Sequence, residues 1–190
     1  IMDKAANGQA LSESEVVALF AARGSAALAV VEAADGLRRE VNGDTVTYVV
    51  NRNINYTNIC THACSFCAFS KTSIKAGFRD KPYNLDLEEI ANRAREAVAK
   101  GATEVCLQGG IHPSYTGETY RSIVRAVKQA CPELHVHAFS PLEVAQGART
   151  LDMPVADYLR MLKDEGLGSL PGTAAEILDD EIRHRICPDK

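Results

Sequence analysis

Three cysteines crowd into one short stretch, Cys60-x-x-x-Cys64-x-x-Cys67, while Cys106, Cys131 and Cys187 stand apart. Three thiolates on one loop hold three irons of a cubane cluster and leave the fourth iron open. An open iron is what a cluster needs to bind a substrate or cofactor directly. The competing reading is structural zinc, which takes four protein ligands, commonly as separated cysteine pairs. Here His62 is the only nearby fourth candidate and no second pair exists. Soft thiolates without a zinc ligand set point to iron–sulfur. The scattered three read as small core residues or inert thiols.

Other residues have chemistry within reach and a plainer reading beside it. Gly109-Gly110 follows a predicted strand, where a glycine pair is either a turn needing positive φ or a place where backbone meets a ligand. His135 and His137 alternate on one strand face with Phe139. Two histidines so spaced bind a catalytic metal or form the polar wall of a cavity. Ser140 with Glu143, and Thr173 with Glu176, have the capping-box spacing. Tyr56 is either substrate wall or strand packing.

The elements that must position these residues change in texture along the chain. Residues 1–44 read as a helical extension: Ser12 and Glu15 form a capping box, Gly24 is a stop, and an alanine-rich helix runs from Ser25 towards Val41. Thr45–Val50 is β-branched and aromatic, and Ile54–Thr57 continues in that style. Strands and helices then alternate. A helix capped near Asp86 stops at Gly101, and a strand over Glu104–Gln108 follows. Next come a helix from about Glu118 to Ala130, a strand over Leu134–Phe139 and a helix opened by Ser140-Pro141. A further helix begins at Pro154 and ends at Gly166, Leu167–Leu170 forms a short strand, and Thr173–Glu176 caps the last helix. This order argues for parallel βαβ units. A doubly wound sheet would show Gly-x-Gly-x-x-Gly after its first strand; the cysteine loop stands there instead. The fold class is therefore α/β, a partial (β/α) barrel of TIM type with four βα units, in which loops after strands form the catalytic face.

Composition narrows the classes. The 190 residues are 46% hydrophobic and 24% charged with net charge −4, as in ordinary globular chains. No basic run with interleaved aromatics marks a nucleic-acid footprint. The longest purely apolar run, Ala26–Val31, is too short to span a bilayer. No charged-then-apolar leader opens the sequence, so the expectation is a cytoplasmic protein.

Cys60, Cys64, Phe66 and Cys67 together resemble the Cys-x-x-x-Cys-x-aromatic-Cys signature of the radical S-adenosylmethionine (SAM) superfamily. The resemblance implies a 4Fe-4S cluster held by Cys60, Cys64 and Cys67. Its open iron would chelate SAM, and reductive cleavage would release a 5′-deoxyadenosyl radical. It implies cofactor contacts at Phe66, Gly109, Gly110, Ser140 and Glu176. Asn51–Asn58, Cys67-Ala68-Phe69-Ser70, Leu107–Pro113 and His135–Pro141 resemble one clade within it, shared by deazaflavin and menaquinone synthesis. Pro171-Gly172-Thr173-Ala174-Ala175-Glu176 is similar to the deazaflavin branch; menaquinone members usually carry Gly-Gly-Ala-Glu there. The implied substrates are L-tyrosine, whose Cα–Cβ bond breaks, and 5-amino-6-(D-ribitylamino)uracil, which receives the 4-hydroxybenzyl group. A reducing partner and a second radical SAM subunit are implied with them, and neither nucleic acid nor membrane. The alternatives are a menaquinone-pathway enzyme acting on a futalosine-type substrate, a zinc-dependent barrel hydrolase using His135 and His137, and a non-catalytic iron–sulfur protein. Four units cannot close a barrel of about 250 residues. Residues 45–190 are thus expected to be the N-terminal half of one. Alone they would bind iron without transferring the hydroxybenzyl group, as an insoluble or oligomeric species with an unpaired sheet edge.

Overall fold

A computed structural model describes residues 1–62, 64–70, 81–172 and 177–189. The chain divides into two compact units, Ile1–Tyr48 and Val49–Lys190. The first holds α1 (Met2–Ala6), α2 (Glu13–Ala21) and α3 (Ser25–Asn42). The capping box at Ser12 is complete: its hydroxyl accepts from the Glu15 N–H and its own N–H donates to the Glu15 carboxylate at 2.7 Å. These helices bury none of their residues, and Phe20, Leu28 and Val31 are exposed. Among the described residues no single helix is long and apolar enough to cross a membrane.

The second unit is a parallel sheet with helices, an α/β partial TIM-type barrel. Its elements are β1 (Asn51–Asn55), α4 (Leu87–Ala99), β2 (Glu104–Gln108), α5 (Gly117–Ala130), β3 (His135–Ala138), α6 (Pro141–Thr150), α7 (Val155–Glu165) and α8 (Asp180–Ile186). The strands pair in parallel in the order β1-β2-β3, with Ile54 opposite Leu107 and Val105 opposite Val136. One face of the sheet is apolar: Ile54, Val105, Leu107, Val136 and Ala138 pack with Ala94 and Ala97 of α4 and Ile123, Val124 and Val127 of α5. The period of two puts polar residues on the other face, where Asn53, Asn55, Cys106, Gln108, His135 and His137 remain accessible.

Three expectations need correction, and a fourth falls outside the described residues. Thr45–Val50 is not a strand; its side chains are exposed, and only the Val50 carbonyl meets the sheet edge, accepting from the Thr103 N–H at 2.9 Å. β-propensity expresses fit to a paired, half-buried surface, and this segment has no such surface. The strand begins instead at Asn51, where pairing with β2 and burial of Ile54 override the poor propensity of asparagine. The fourth strand shrinks to one parallel bridge, His137 to Ser169. Phe139 leaves the histidine face: its φ of 65° turns the ring into the core, edge-on to Tyr120 at 5.2 Å. The last described helix begins at Asp180, capped by Asp179. The expected start at Thr173–Glu176, with the candidate Glu176, lies outside the described residues.

Candidate functional site

β1 runs directly into the cysteine loop, and the turn after β2 holds that loop from beneath. The Gly110 N–H donates to the Thr57 carbonyl at 3.0 Å, and the Thr61 N–H donates to the Ile111 carbonyl at 2.9 Å. The Ile111 N–H donates to Cys60 Sγ at 3.3 Å. Hydrogen bonds to cysteine sulfur are among the levers that set a cluster's potential. On its far side the loop is tied to the end of α8 by the Ser65 N–H to the Ile186 carbonyl, 2.8 Å.

The base of the loop is closed by side chains. Asn58 is buried; its Nδ2 donates to the Lys81 carbonyl at 3.2 Å and its Oδ1 accepts from the Tyr83 N–H at 2.9 Å. The Thr57 hydroxyl donates to the Tyr83 carbonyl at 2.9 Å. The segment that leaves the loop is thus fastened to the one that begins it.

Neither Gly109 nor Gly110 has positive φ, so the turn reading does not explain them. Close approach does. A Cβ on Gly109 would stand 2.3 Å from Tyr56 Cε2, and one on Gly110 would stand 2.3 Å from the Ile59 carbonyl oxygen and 2.8 Å from Cys60 Cβ. The pair is glycine because the cysteine loop and the Tyr56 ring lie directly against it.

Above the turn opens a cavity of about 330 Å³, lined by Cys60, Cys64, Cys67 and Phe66 on one side and Gly109, Gly110 and Ser140 on the other. Asn53, Asn55 and Gln108 extend its polar wall, and Glu143 lies in its floor. Glu143 is 1% exposed. Its carboxylate accepts from the Tyr56 hydroxyl, from the Gly109 N–H at 3.1 Å and from the Ser140 N–H at 2.6 Å. Burial pushes its pKa up, and the hydrogen bonds from Tyr56 and Ser140 pull against that rise. Burial likewise raises Tyr56 well above the phenol range, reinforced by the Glu143 charge.

The structure therefore gathers Cys60, Cys64, Cys67, Phe66, Gly109, Gly110 and Ser140 around one cavity. Ser140 caps α6 as the box spacing predicts, its hydroxyl accepting from the Glu143 N–H at 3.3 Å, and it also faces the cavity. Tyr56 is wholly buried behind Gly109 rather than in the wall. His135 and His137 do not line this cavity. The sequence sets the Ser140–Glu143 pair just past a strand end but offers only Ser140 of it as a cofactor candidate; the partners that make Glu143 part of the floor, Tyr56 and Gly109, are distant in sequence. Asn58 gave none, because its partners are backbone groups more than twenty residues away.

These residues fit an iron–sulfur cluster with a bound cofactor. Three thiols share one wall, and Ser70 Oγ is buried in the lining with no partner among the described residues. Such an orphan calls for a polar occupant. Cys60, Cys64 and Cys67 would hold the cluster; Gly109, Gly110 and Ser140 would meet the cofactor.

Comparisons with known proteins agree. The family model described as Radical SAM superfamily matches residues 54–190. The FO synthase of Nocardia farcinica is 53% identical over 173 residues, covering 91% of this chain and 20% of that protein. The 5-amino-6-(D-ribitylamino)uracil–L-tyrosine 4-hydroxyphenyl transferase of Archaeoglobus fulgidus is 54% identical over 157 residues, covering 83% of this chain and 43% of that protein. The chain thus spans less than half the length of these relatives. Among solved structures, the FeFe-hydrogenase maturase HydG of Carboxydothermus hydrogenoformans superposes with a TM-score of 0.71 at 20% identity, over all of this chain and 40% of its own. Methylornithine synthase superposes at 0.57 and 18% identity, over 87% of this chain and 56% of its own; both show the fold. With its cysteine loop, glycine pair and parallel sheet, the chain belongs to the radical SAM superfamily, a family that works with a 4Fe-4S cluster and S-adenosylmethionine.

Proposed function

We propose that this chain carries the cluster and cofactor end of a transferase that cleaves L-tyrosine and moves its 4-hydroxybenzyl group to 5-amino-6-(D-ribitylamino)uracil. The observation that carries this reading is its 54% identity to a transferase named for that reaction. When bound, the cluster and SAM supply a one-electron cleavage that produces the hydrogen-abstracting radical. The protein's share is placement. Cys60, Cys64 and Cys67 hold the cluster on a loop fastened at its base by Asn58. The amide of Ile111 fixes Cys60 and stabilises negative charge on its sulfur. Glu143 holds the Gly109 and Ser140 backbone in fixed relation, so the cofactor meets a floor already organised before it binds. Phe66 lines the cysteine side of the cavity. A reducing partner, a second radical SAM subunit and a cytoplasmic setting complete the reading.

The test is an anaerobic assay of the reconstituted full-length protein with SAM, a reductant, L-tyrosine and the diaminouracil, read by mass spectrometry. A tyrosine-dependent adduct with matching 5′-deoxyadenosine is the expected product. Turnover of a futalosine-type precursor, with none of tyrosine, would reverse the assignment in favour of the menaquinone branch.

A further inference from the structure

Glu104 and His135, at the amino ends of β2 and β3, converge with His137, two residues further along β3. Glu104 and His135 are register partners. One ligand atom from each of the three lies within 4.8 Å of the others. His135 Nε2 stands 3.8 Å from Glu104 Oε2. Ser169 completes the group: its Oγ is 2.8 Å from His135 Nε2 and 2.6 Å from His137 Nδ1. The placement is built by backbone. The Ala138 N–H donates to the Ser169 carbonyl at 2.9 Å, and a Cβ on Gly168 would stand 2.3 Å from His135 Cε1. The imidazole seats itself in space that only glycine leaves.

We propose that these residues form a second metal site, separate from the cysteine loop, for a divalent first-row transition ion such as zinc. Two imidazole nitrogens, a carboxylate oxygen and a hydroxyl oxygen make a borderline ligand set suited to such ions; Cys106, the register partner of His137, lies on the same face but outside the group. A serine hydroxyl has one proton, so it donates to one imidazole and accepts from the other. A cation gathers both nitrogen lone pairs and the carboxylate at once, which the hydroxyl cannot do. The His135 side chain is 45% exposed among the described residues. At this end of a barrel sheet, residues serve stability rather than chemistry. The ion would therefore tie β2, β3 and the Ser169 segment together, where the fourth strand is reduced to one bridge. This site does not depend on the transferase reading.

The experiment adds Co²⁺ to the cluster-loaded chain, whose oxidised 4Fe-4S centre is silent in electron paramagnetic resonance. One high-spin cobalt per chain is expected, with imidazole nitrogen coupling in the pulsed spectrum, which identifies the ligands without any substitution. Zn²⁺ should displace the cobalt and raise the thermal midpoint. His137→Gln and the isosteric Glu104→Gln should each remove the signal while cluster absorbance and circular dichroism persist. Ser169→Ala should weaken cobalt binding about tenfold. Absence of a cobalt signal, a signal without nitrogen coupling, or one unchanged in both Gln variants would overturn the site. A signal lost only when Cys60 and Cys64 are replaced would overturn it too, assigning the cobalt to the cysteine loop.

Discussion

The two ends of one small sheet are organised in opposite ways. At the carboxyl ends of β1–β3, main-chain atoms do most of the positioning: amides meet the Cys60 sulfur, the Thr57 carbonyl and the Glu143 carboxylate, and side chains are trimmed to glycine where surfaces touch. At the amino ends, side chains meet side chains, with Ser169 between two histidines and Glu104 beside them. A backbone-built floor is fixed by the fold before any occupant arrives. The side-chain cluster rests on hydrogen bonds among its own members, which an ion can replace with its own. The first arrangement suits a cluster and cofactor whose reacting atoms tolerate little displacement, the second an ion that organises its own surroundings.

The comparison breaks most completely at the cysteines. Cys60→Ala, Cys64→Ala or Cys67→Ala should each abolish a stable 4Fe-4S centre and all SAM cleavage, measured as iron content and 5′-deoxyadenosine. Cys106→Ala, Cys131→Ala and Cys187→Ala should leave iron content nearly unchanged; full cluster loading in any of the first three would refute the ligand assignment. Next in size is Gly110→Ala. The added methyl meets the Ile59 carbonyl and Cys60 Cβ, both backbone-anchored and unable to swing aside. A destabilisation of about 3 kcal/mol is expected, with lower cluster yield, by denaturant titration and iron assay. An equal loss from Gly172→Ala, where a Cβ meets nothing within 4 Å among the described residues, would contradict the close-approach argument.

Glu143→Gln tests the floor itself. Glu143 accepts from three donors and spends both oxygens doing so. A glutamine amide offers one oxygen and turns an NH₂ towards a donor, leaving a buried mismatch that costs about 2 kcal/mol. SAM affinity should fall with it, since the Gly109 and Ser140 amides lose their common anchor, while cobalt binding at the histidine end stays unchanged. The wild-type carboxyl also has a pH signature. Its folded pKa is raised above the ordinary 4.5, so the folded state holds the proton more tightly. Its contribution is full below 4.5 and is lost as pH rises through the raised value. The glutamine variant should lack that slope.

Some of this was legible in the residues and some was not. Cysteine spacing marked the loop that lines the cavity, because three thiols within eight residues stay together however the rest of the chain folds. Capping boxes at Ser12 and Ser140 located helix starts because their partners lie three residues on. The alternation of βα units gave the fold class by the same local logic. Thr45–Val50 misled because strand propensity is realised only against a partner. Phe139 misled because one positive φ at a strand end reverses the face that alternation assigns. Glu143 and Asn58 escaped as site residues because their roles depend on groups brought near by the fold, not by the chain.

The smallest effect lies away from both ends, in the helix layer. Glu165 closes α7, where a carboxylate meets the negative end of the helix dipole. Two arginines of α5 offset that: Arg125 Nε and Nη2 donate to its two oxygens at 2.8 and 2.9 Å, and Arg121 Nε donates at 2.6 Å. The Arg125 hydrogen bonds, with help from Arg121, hold the Glu165 pKa down at about 2 against an ordinary 4.5. The sign is opposite to that of Glu143. A depressed pKa contributes stability that is full above 4.5 and is lost as pH falls towards 2. Solvent screening keeps the contribution small, about 0.5–1 kcal/mol. Glu165→Gln should cost that much at neutral pH, measured by urea unfolding of the cluster-free chain, and nothing once the pH lies below both values. Cluster yield and cobalt binding should match wild type, because α5 and α7 touch neither constellation through this carboxylate. If Glu165→Gln lowered cluster yield as much as Glu143→Gln, stability alone would govern assembly, and the special standing of the backbone-built floor would be lost.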